Sequence, residues 1–326
     1  MLYLFWRKPA GAPMAPENPG RERSSELKAS AMPANEPAPR PYDHVFVLLA
    51  TIIWAITYVN TKLVLPSIPP NTLAFSRFLL ASLAFAAFFV VTGFPRIARQ
   101  DWPRILFCGL TGVTLYNFLQ NQGMKTAGTT DAAILASMAP IFIALLAWLF
   151  LKEQLSAKKI IGILLAFSGA VLIAGNGSFG GVAASPERVI GDGLVLLTGL
   201  CWAAYSIALK GLLKKYSATT VLAYSTFAGT LFLAPLAAWE PPVSWGALSL
   251  DVWANLFYLG LLASALAYWF WNTALERVPA ASAGAYLYLL PVFTALIAAL
   301  WLGELPGPYI VAGGALALLG TYLASG

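Results

Sequence analysis

Ten stretches of about 20 mostly apolar residues, divided by short breaks of charge, Gly or Pro, follow one another from Val45 to the end of the chain, and a helix of about 20 such residues spans a bilayer core. This succession constrains the fold more than any other feature. Lipid offers no partner to a backbone amide or carbonyl, so spanning segments must be helices or closed barrels. The stretches begin near Val45, Thr72, Ile105, Thr130, Lys159, Asp192, Thr219, Val252, Ala281 and Pro308. Asp131 and Asp192 suit helix starts, where acidic side chains meet the positive dipole end, and Pro308 suits a first turn. The chain is 59% hydrophobic and 10% charged, against roughly 45 to 50% and about 25% in a soluble domain. The fold class expected is all-α integral membrane, with ten transmembrane helices.

Basic residues set the direction, because cytoplasmic loops are enriched in Lys and Arg. Residues 7–43 are rich in Pro, Ala, Glu and Arg without apolar period, and Met1 to Trp6 is too short for a signal-peptide core. Residues 1–44 therefore read as a disordered cytoplasmic tail. With the N-terminus inside, 16 of the 20 basic residues fall on the cytoplasmic side: Arg7, Lys8, Arg21, Arg23, Lys28 and Arg40, then Arg96, Arg99 and Arg104, Lys152, Lys158 and Lys159, Lys210, Lys214 and Lys215, and Arg277. Lys62, Lys125 and Arg188 lie outside, and Arg77 lies within a span. The net charge of +6 is thus a topology signal and not a nucleic-acid footprint. Cys108 and Cys201 both sit in apolar runs, as buried small residues do, and give no disulfide framework.

The chain also repeats itself. At an offset of 151, residues 121–174 align without a gap on 272–325 with 15 identities in 54 positions, among them Asn121 with Asn272, Pro140 with Pro291, Glu153 with Glu304, Gly162 with Gly313 and Gly169 with Gly320. At an offset of 148, Trp54 matches Trp202 and Lys62 matches Lys210. Five spans per copy is an odd number, so the second copy, 191–326, lies inverted relative to the first, 45–175, with 176–190 as linker. Inverted repeats are the plan of many secondary transporters, whose substrate site lies between the copies.

The run Asn121 to Leu155 with Pro140 and Glu153, its second copy Trp271 to Leu305 with Pro291 and Glu304, the stretch Trp54 to Lys62 and the stretch Phe75 to Phe78 around Arg77 together resemble the EamA-like family of the drug/metabolite transporter superfamily. The resemblance covers about residues 45–324. It implies a ten-helix inner-membrane carrier of small metabolites, often an exporter of amino acids or related compounds. Many relatives carry Glu before the second mid-helix Pro where this chain has Leu290, so a charge-dependent substrate preference does not carry over.

Polar side chains within a span face the bundle or a cavity. Asn117 and Asn121, four apart and on one face, superpose at offset 151 on Tyr268 and Asn272. This repeated stripe is a candidate for substrate hydrogen bonding, or else for bonding between helices alone. Trp54 and Tyr58, with Trp202 and Tyr205 in the second copy, lie too deep for an interfacial belt and can wall an apolar or aromatic solute, or simply pack the core. Tyr286 and Tyr288 point to different faces, and Tyr286 joins the candidates. Arg77 offers a planar fork to a carboxylate or phosphate, yet it equally suits a structural bond to a helix, the role favoured because the resembling family shares it across substrates. Pro140 and Pro291 are candidate hinges or static kinks. Gly162, Ala166 and Ala170 give small residues four apart, suited to packing within the chain or in a homodimer.

No Gly-x-x-x-x-Gly-Lys loop is present, His44 is the single histidine, and the spans carry no paired carboxylates at mid-membrane. No catalytic constellation, metal or cofactor is expected. The reading is a secondary-active or facilitative carrier working by alternating access in a bacterial inner membrane, with a small-molecule substrate and both termini cytoplasmic, as monomer or homodimer. The alternatives are a membrane enzyme acting on lipid-linked substrates and a membrane scaffold or receptor.

Overall fold

The computed structural model describes residues 40–123, 138–175, 186–290, 292–294, 296–297 and 307–325. Ten helical segments follow in chain order: α1 (Pro41–Val64), α2 (Pro70–Thr92), α3 (102–123), α4 (139–151), α5 (Ala157–Gly175), α6 (Pro186–Leu213), α7 (Ala218–Ala238), α8 (250–275), α9 (280–289) and α10 (Pro308–Ser325). No strand occurs among the described residues. The boundary expected near Thr130 lies outside the described residues, and the other starts hold within a few residues except at α6, which starts at Pro186, a full turn and a half before Asp192. Proline opens the helix there, where its missing N–H costs nothing.

Local chemistry starts and stops these helices. Asp43 accepts from the Arg40 amide at 2.7 Å at the start of α1, and Ser217 accepts from Thr220 at the start of α7. α2 ends at Gly93, whose φ of +89° only glycine adopts without strain. Among the described residues four helices are long and apolar enough to cross a membrane, Pro70–Thr92, Val189–Leu213, Ala218–Ala238 and Leu250–Leu275, and shorter apolar helices accompany them. The molecule wears its apolar side chains outward. Val91, Val90, Leu231 and Val311 are 60 to 86% exposed while Asn272, Ser264 and Ser206 are fully buried, the reverse of what water demands. The protein is an integral membrane protein.

Contacts between helices come in matching sets. α3 packs on α6 as α8 packs on α1, and α7 on α3 as α2 on α8. A Cβ on Gly109 would meet the Ser225 carbonyl oxygen at 2.6 Å, and a Cβ on Gly260 would meet the Arg77 carbonyl oxygen at 3.1 Å. Gly109 and Gly260 differ by 151, Arg77 and Ser225 by 148. α5 and α10 make the closest approach: a Cβ on Gly162 would stand 2.7 Å from the Gly320 carbonyl, and one on Gly169 2.5 Å from the Gly313 carbonyl. Each contact is the other shifted by 151. The small-residue stripe therefore packs within one chain, where backbones approach closely because no side chain intervenes.

Candidate functional site

α3 and α8 are not continuous α-helices. Each widens into a π-helical stretch, Leu110–Leu115 in α3 and Tyr258–Leu266 in α8, which breaks the i to i−4 ladder and turns carbonyls toward other partners. Two such carbonyls, Gly112 and Ala263, are counterparts at offset 151. The Tyr268 hydroxyl donates to the Gly112 carbonyl at 3.1 Å, and the Trp54 indole donates to the Ala263 carbonyl at 3.0 Å. Gly112 has a second duty, since a Cβ there would fall 2.5 Å from the Tyr205 ring.

Around these two turns the predicted aromatic residues come together. Trp54 meets its own counterpart Trp202 edge to face, with centroids 5.2 Å apart, and Tyr268 stands 5.5 and 5.4 Å from the two of them. Tyr205 packs on Trp202 at 5.3 Å and donates its hydroxyl to Asn272 Oδ1 at 2.9 Å. Edge-to-face rings 5 to 6 Å apart lie in the favourable geometry for aromatic pairs. Trp271 lies 5.6 Å from Trp202 and 5.8 Å from Trp54, fully buried, and was not among the sequence candidates. Its signal was present, because Tyr268, Trp271 and Asn272 have the i, i+3, i+4 spacing of one helix face. Phe78 and Tyr116 extend the cluster against Tyr268 and Trp202.

Arg77 reaches this cluster from α2. Its Nε donates to Ser264 Oγ at 2.7 Å, and its guanidinium carbon stands 5.4 Å from the Phe78 ring centroid. Asn117 is buried but spends Nδ2 on the Val113 carbonyl of its own helix, and Asn121, one turn on, donates to the Pro70 carbonyl. The second-copy stripe thus enters the cluster, while in the first copy Asn117 turns back on its own helix and Asn121 ties α3 to the start of α2. Tyr286 lies apart, with its hydroxyl 3.1 Å from His44 Nδ1 near the start of α1. Tyr288 packs instead beside Phe167, as its different face requires. The Tyr58 side chain and Pro291 lie outside the described residues. Pro140 stands in the first turn of the described α4.

The acidic residues at span ends are helix brackets. Glu153 accepts from the Ala280 and Ala281 amides, opening α9, and from Lys210 Nζ at 3.1 Å. Lys210 lies in the last turn of α6 and is 3% exposed. Glu276 accepts from the Ala218 amide at the start of α7, and Glu240 from the Asn71 and Thr72 amides at the start of α2. Each carboxylate meets the positive end of a helix belonging to another span. Asp101, ahead of α3, is 3% exposed and accepts from Lys215 and Tyr216. Burial alone would raise its carboxyl, but the Lys215 and Tyr216 hydrogen bonds and the Arg104 charge outweigh it and hold the group below the usual carboxylate range. Among the described residues no three His, Cys, Asp or Glu side chains gather as a metal site.

The sequence pattern of the EamA-like transporter family matches residues 43–175 and again 189–326. A protein of Archaeoglobus fulgidus described as an uncharacterized transporter is 34% identical over 284 residues, covering 86% of this chain and 96% of its own. A probable terminal-alkyne amino-acid exporter of Streptantibioticus cattleyicolor is 35% identical over 282 residues, covering 86% of this chain and 92% of its own. A solved crystal structure overlays with a TM-score of 0.76 over 88% of this chain and 97% of that one, at 22% identity, a likeness of fold. Helices, doubled contacts and both halves of the sequence agree: the chain is a membrane-embedded transporter of small molecules and belongs to the EamA-like transporter family.

Proposed function

We propose that this transporter exports amino acids or related compounds by alternating access, as a secondary-active or facilitative carrier and not as an enzyme, and that its substrate is held in the central aromatic cluster. The observation carrying this reading is the meeting of Trp54 with Trp202 at 5.2 Å, because these residues are counterparts in the two copies. A site between repeats is where one half moving against the other exposes substrate first to one side and then to the other. Trp54, Trp202, Tyr205, Tyr268 and Asn272 line it, with Arg77 at its edge. Asn117, Asn121, Tyr58 and Tyr286 would serve the path toward it, and Pro140 and Pro291 the movement. The amino-acid class is supported by the exporter of Streptantibioticus cattleyicolor, which aligns over most of both chains.

The repeats proposed are 45–175 and 191–326, the second inverted, joined by 176–190 and preceded by a cytoplasmic tail, 1–44. The placement of 16 of 20 basic residues favours a bacterial inner membrane protein with both termini inside. The α5 and α10 stripes being used within the chain favours a monomer. Counterflow in liposomes holding the purified protein, with a panel of amino acids, sugars, nucleosides and organic acids, tests the function. Selective, saturable exchange of amino acids is expected. Exchange confined to another class, or none from folded protein, refutes it.

A further inference from the structure

Three donors of the central cluster have no acceptor. The Gly112 carbonyl is taken by Tyr268, the Ala263 carbonyl by Trp54, and Asn272 Oδ1 by Tyr205. What remains among the described residues is the indole N–H of Trp202, the indole N–H of Trp271 and the amide nitrogen of Asn272, each buried without an acceptor. These three residues are 6%, 0% and 0% exposed and belong to one set of touching rings. Buried polar groups are nearly always paired, so three orphans of one polarity in one place demand a reason.

Broken repetition supplies the local cause. Trp54 donates to Ala263, and the same bond shifted into the other copy would run from Trp202 to Gly112. Tyr268 occupies that carbonyl instead, at 3.1 Å. Tyr268 stands where the first copy has Asn117, whose amide turns back on its own helix at Val113. Trp202 thus lacks the bond that its twin makes. Arg77 adds a positive charge at the same place, held through Nε to Ser264, and the ion pairs of the described residues, Lys210 with Glu153 and Lys215 with Asp101, do not include it. Among the described residues no carboxylate is hydrogen-bonded to Arg77 or to the rings of the cluster.

We propose that Trp202, Trp271 and Asn272, backed by the charge of Arg77, form a carboxylate subsite, and that the transporter recognises its substrate by the carboxylate and not by the amine. This rests on the reading of the cluster as the transport site. A carboxylate is acceptor-only and satisfies all three donors at once. An ammonium finds no counter-charge here and lies over ring faces, an interaction that any apolar group replaces. Closed on one another, the rings leave three donors unsatisfied; a carboxylate entering as they part relieves all three. That difference between states is what lets a ligand drive a conformational change.

The test uses the full-length protein in liposomes and follows counterflow of labelled leucine and phenylalanine, with the unlabelled amino acids, their N-acetyl derivatives and their amides as competitors. The N-acetyl acids keep the carboxylate and lose the amine charge; the amides do the opposite. The N-acetyl acids are expected to compete within a few-fold of the parent, and the amides at least about tenfold more weakly, as for a lost charge-assisted bond. Amides that compete as well as the parent overturn the inference and leave the carrier reading intact. Failure of both amino acids to exchange, from protein that melts cooperatively, overturns both. Trp202→Phe and Trp271→Phe keep an aromatic ring and remove one N–H each; cooperative melting in detergent establishes that each variant is folded, and the half-saturation concentration for the amino acid is expected to rise about tenfold in each. Unchanged half-saturation in both variants also overturns the inference.

Discussion

Gly112→Ala tests the centre of the molecule with a single methyl group. The added Cβ would lie 2.5, 2.6 and 2.9 Å from three atoms of the Tyr205 ring, where ordinary contact begins at 3.4 Å. The ring must retreat by the difference, about 0.9 Å, a gap that forfeits much of a contact's attraction. Tyr205 is 1% exposed and wedged against Trp202, so the retreat has no room. It also pulls the hydroxyl from Asn272, a bond now 2.9 Å long. Overpacking costs about 1 to 3 kcal/mol, the stranded buried hydrogen bond about another 1 to 3, and the better helix propensity of Ala returns about 1. The net is a loss of about 1 to 5 kcal/mol, with counterflow slowed at least about tenfold. Thermal unfolding in detergent and initial flux in liposomes measure the two effects. The cause is isolated by repeating the substitution in a Tyr205→Leu background, where the shorter side chain leaves space. Gly112→Ala is expected to cost nothing further there. Equal destabilisation in both backgrounds would refute the reasoning, because the clash would then lie elsewhere.

Gly169→Ala and Gly320→Ala should each cost about 1 to 3 kcal/mol, since their Cβ atoms would stand 2.5 Å from the Gly313 carbonyl and 2.3 Å from the Ala166 amide nitrogen, and the double variant should lose less than the sum because both force the same two helices apart. Gly193→Ala, with nothing within 4 Å, is the control and should be neutral or stabilising by up to about 1 kcal/mol. Trp54→Phe and Trp202→Phe remove the same indole volume, but only Trp54→Phe also strands an acceptor, the Ala263 carbonyl, so it should cost about 1 to 3 kcal/mol more than Trp202→Phe; equal effects would contradict the donor assignment. Asp101 titrates below its unfolded value, so its contribution is fully present above about pH 4 and is lost as pH falls through the lower folded value. The melting temperature of Asp101→Asn should accordingly lie below that of the parent by a constant margin at neutral pH and converge with it in acid; a margin that widens on acidification would reverse the sign of the argument.

Much of this was written in the sequence in plain form. Apolar length and the spacing of Lys and Arg are properties of segments, so the spans and their order can be read one at a time. The doubled motif could be read because duplication leaves identical residues at fixed offset. The candidate site was legible in part for the same reason: Trp54, Trp202 and Asn272 show themselves through repetition, and Tyr268 through its place on the Asn272 stripe. Trp271 does not, since its counterpart is Gln120, and a Trp on an apolar helix looks like core. The π-helical turns at Gly112 and Ala263 were illegible too, because a widened turn changes no residue type and is fixed by neighbours that the sequence does not name. The partners of Lys210 were illegible for a related reason. Charge counting assigns a lysine near a helix end to water, and only the packed structure brings Glu153 and the Val278 carbonyl within 3.1 Å of it.

Repetition and its failure divide the labour within the chain. Where the copies agree, as at Gly162 with Gly320 and Gly169 with Gly313, identical contacts are made twice and the result is a rigid seam. At the centre, agreement is physically impossible to use fully. Trp54 and Trp202 meet each other, and the carbonyl that would serve the second indole is claimed by Tyr268, a residue the first copy lacks. The scaffold therefore rests on the paired glycines, while the unsatisfied donors are Trp202, Trp271 and Asn272: Trp271 has no twin, and Trp202 and Asn272 keep their twins' residue type but not their twins' bonds. A transporter built this way can change what it recognises by substituting residues of one copy, and leave intact the paired glycine seam that holds α5 on α10.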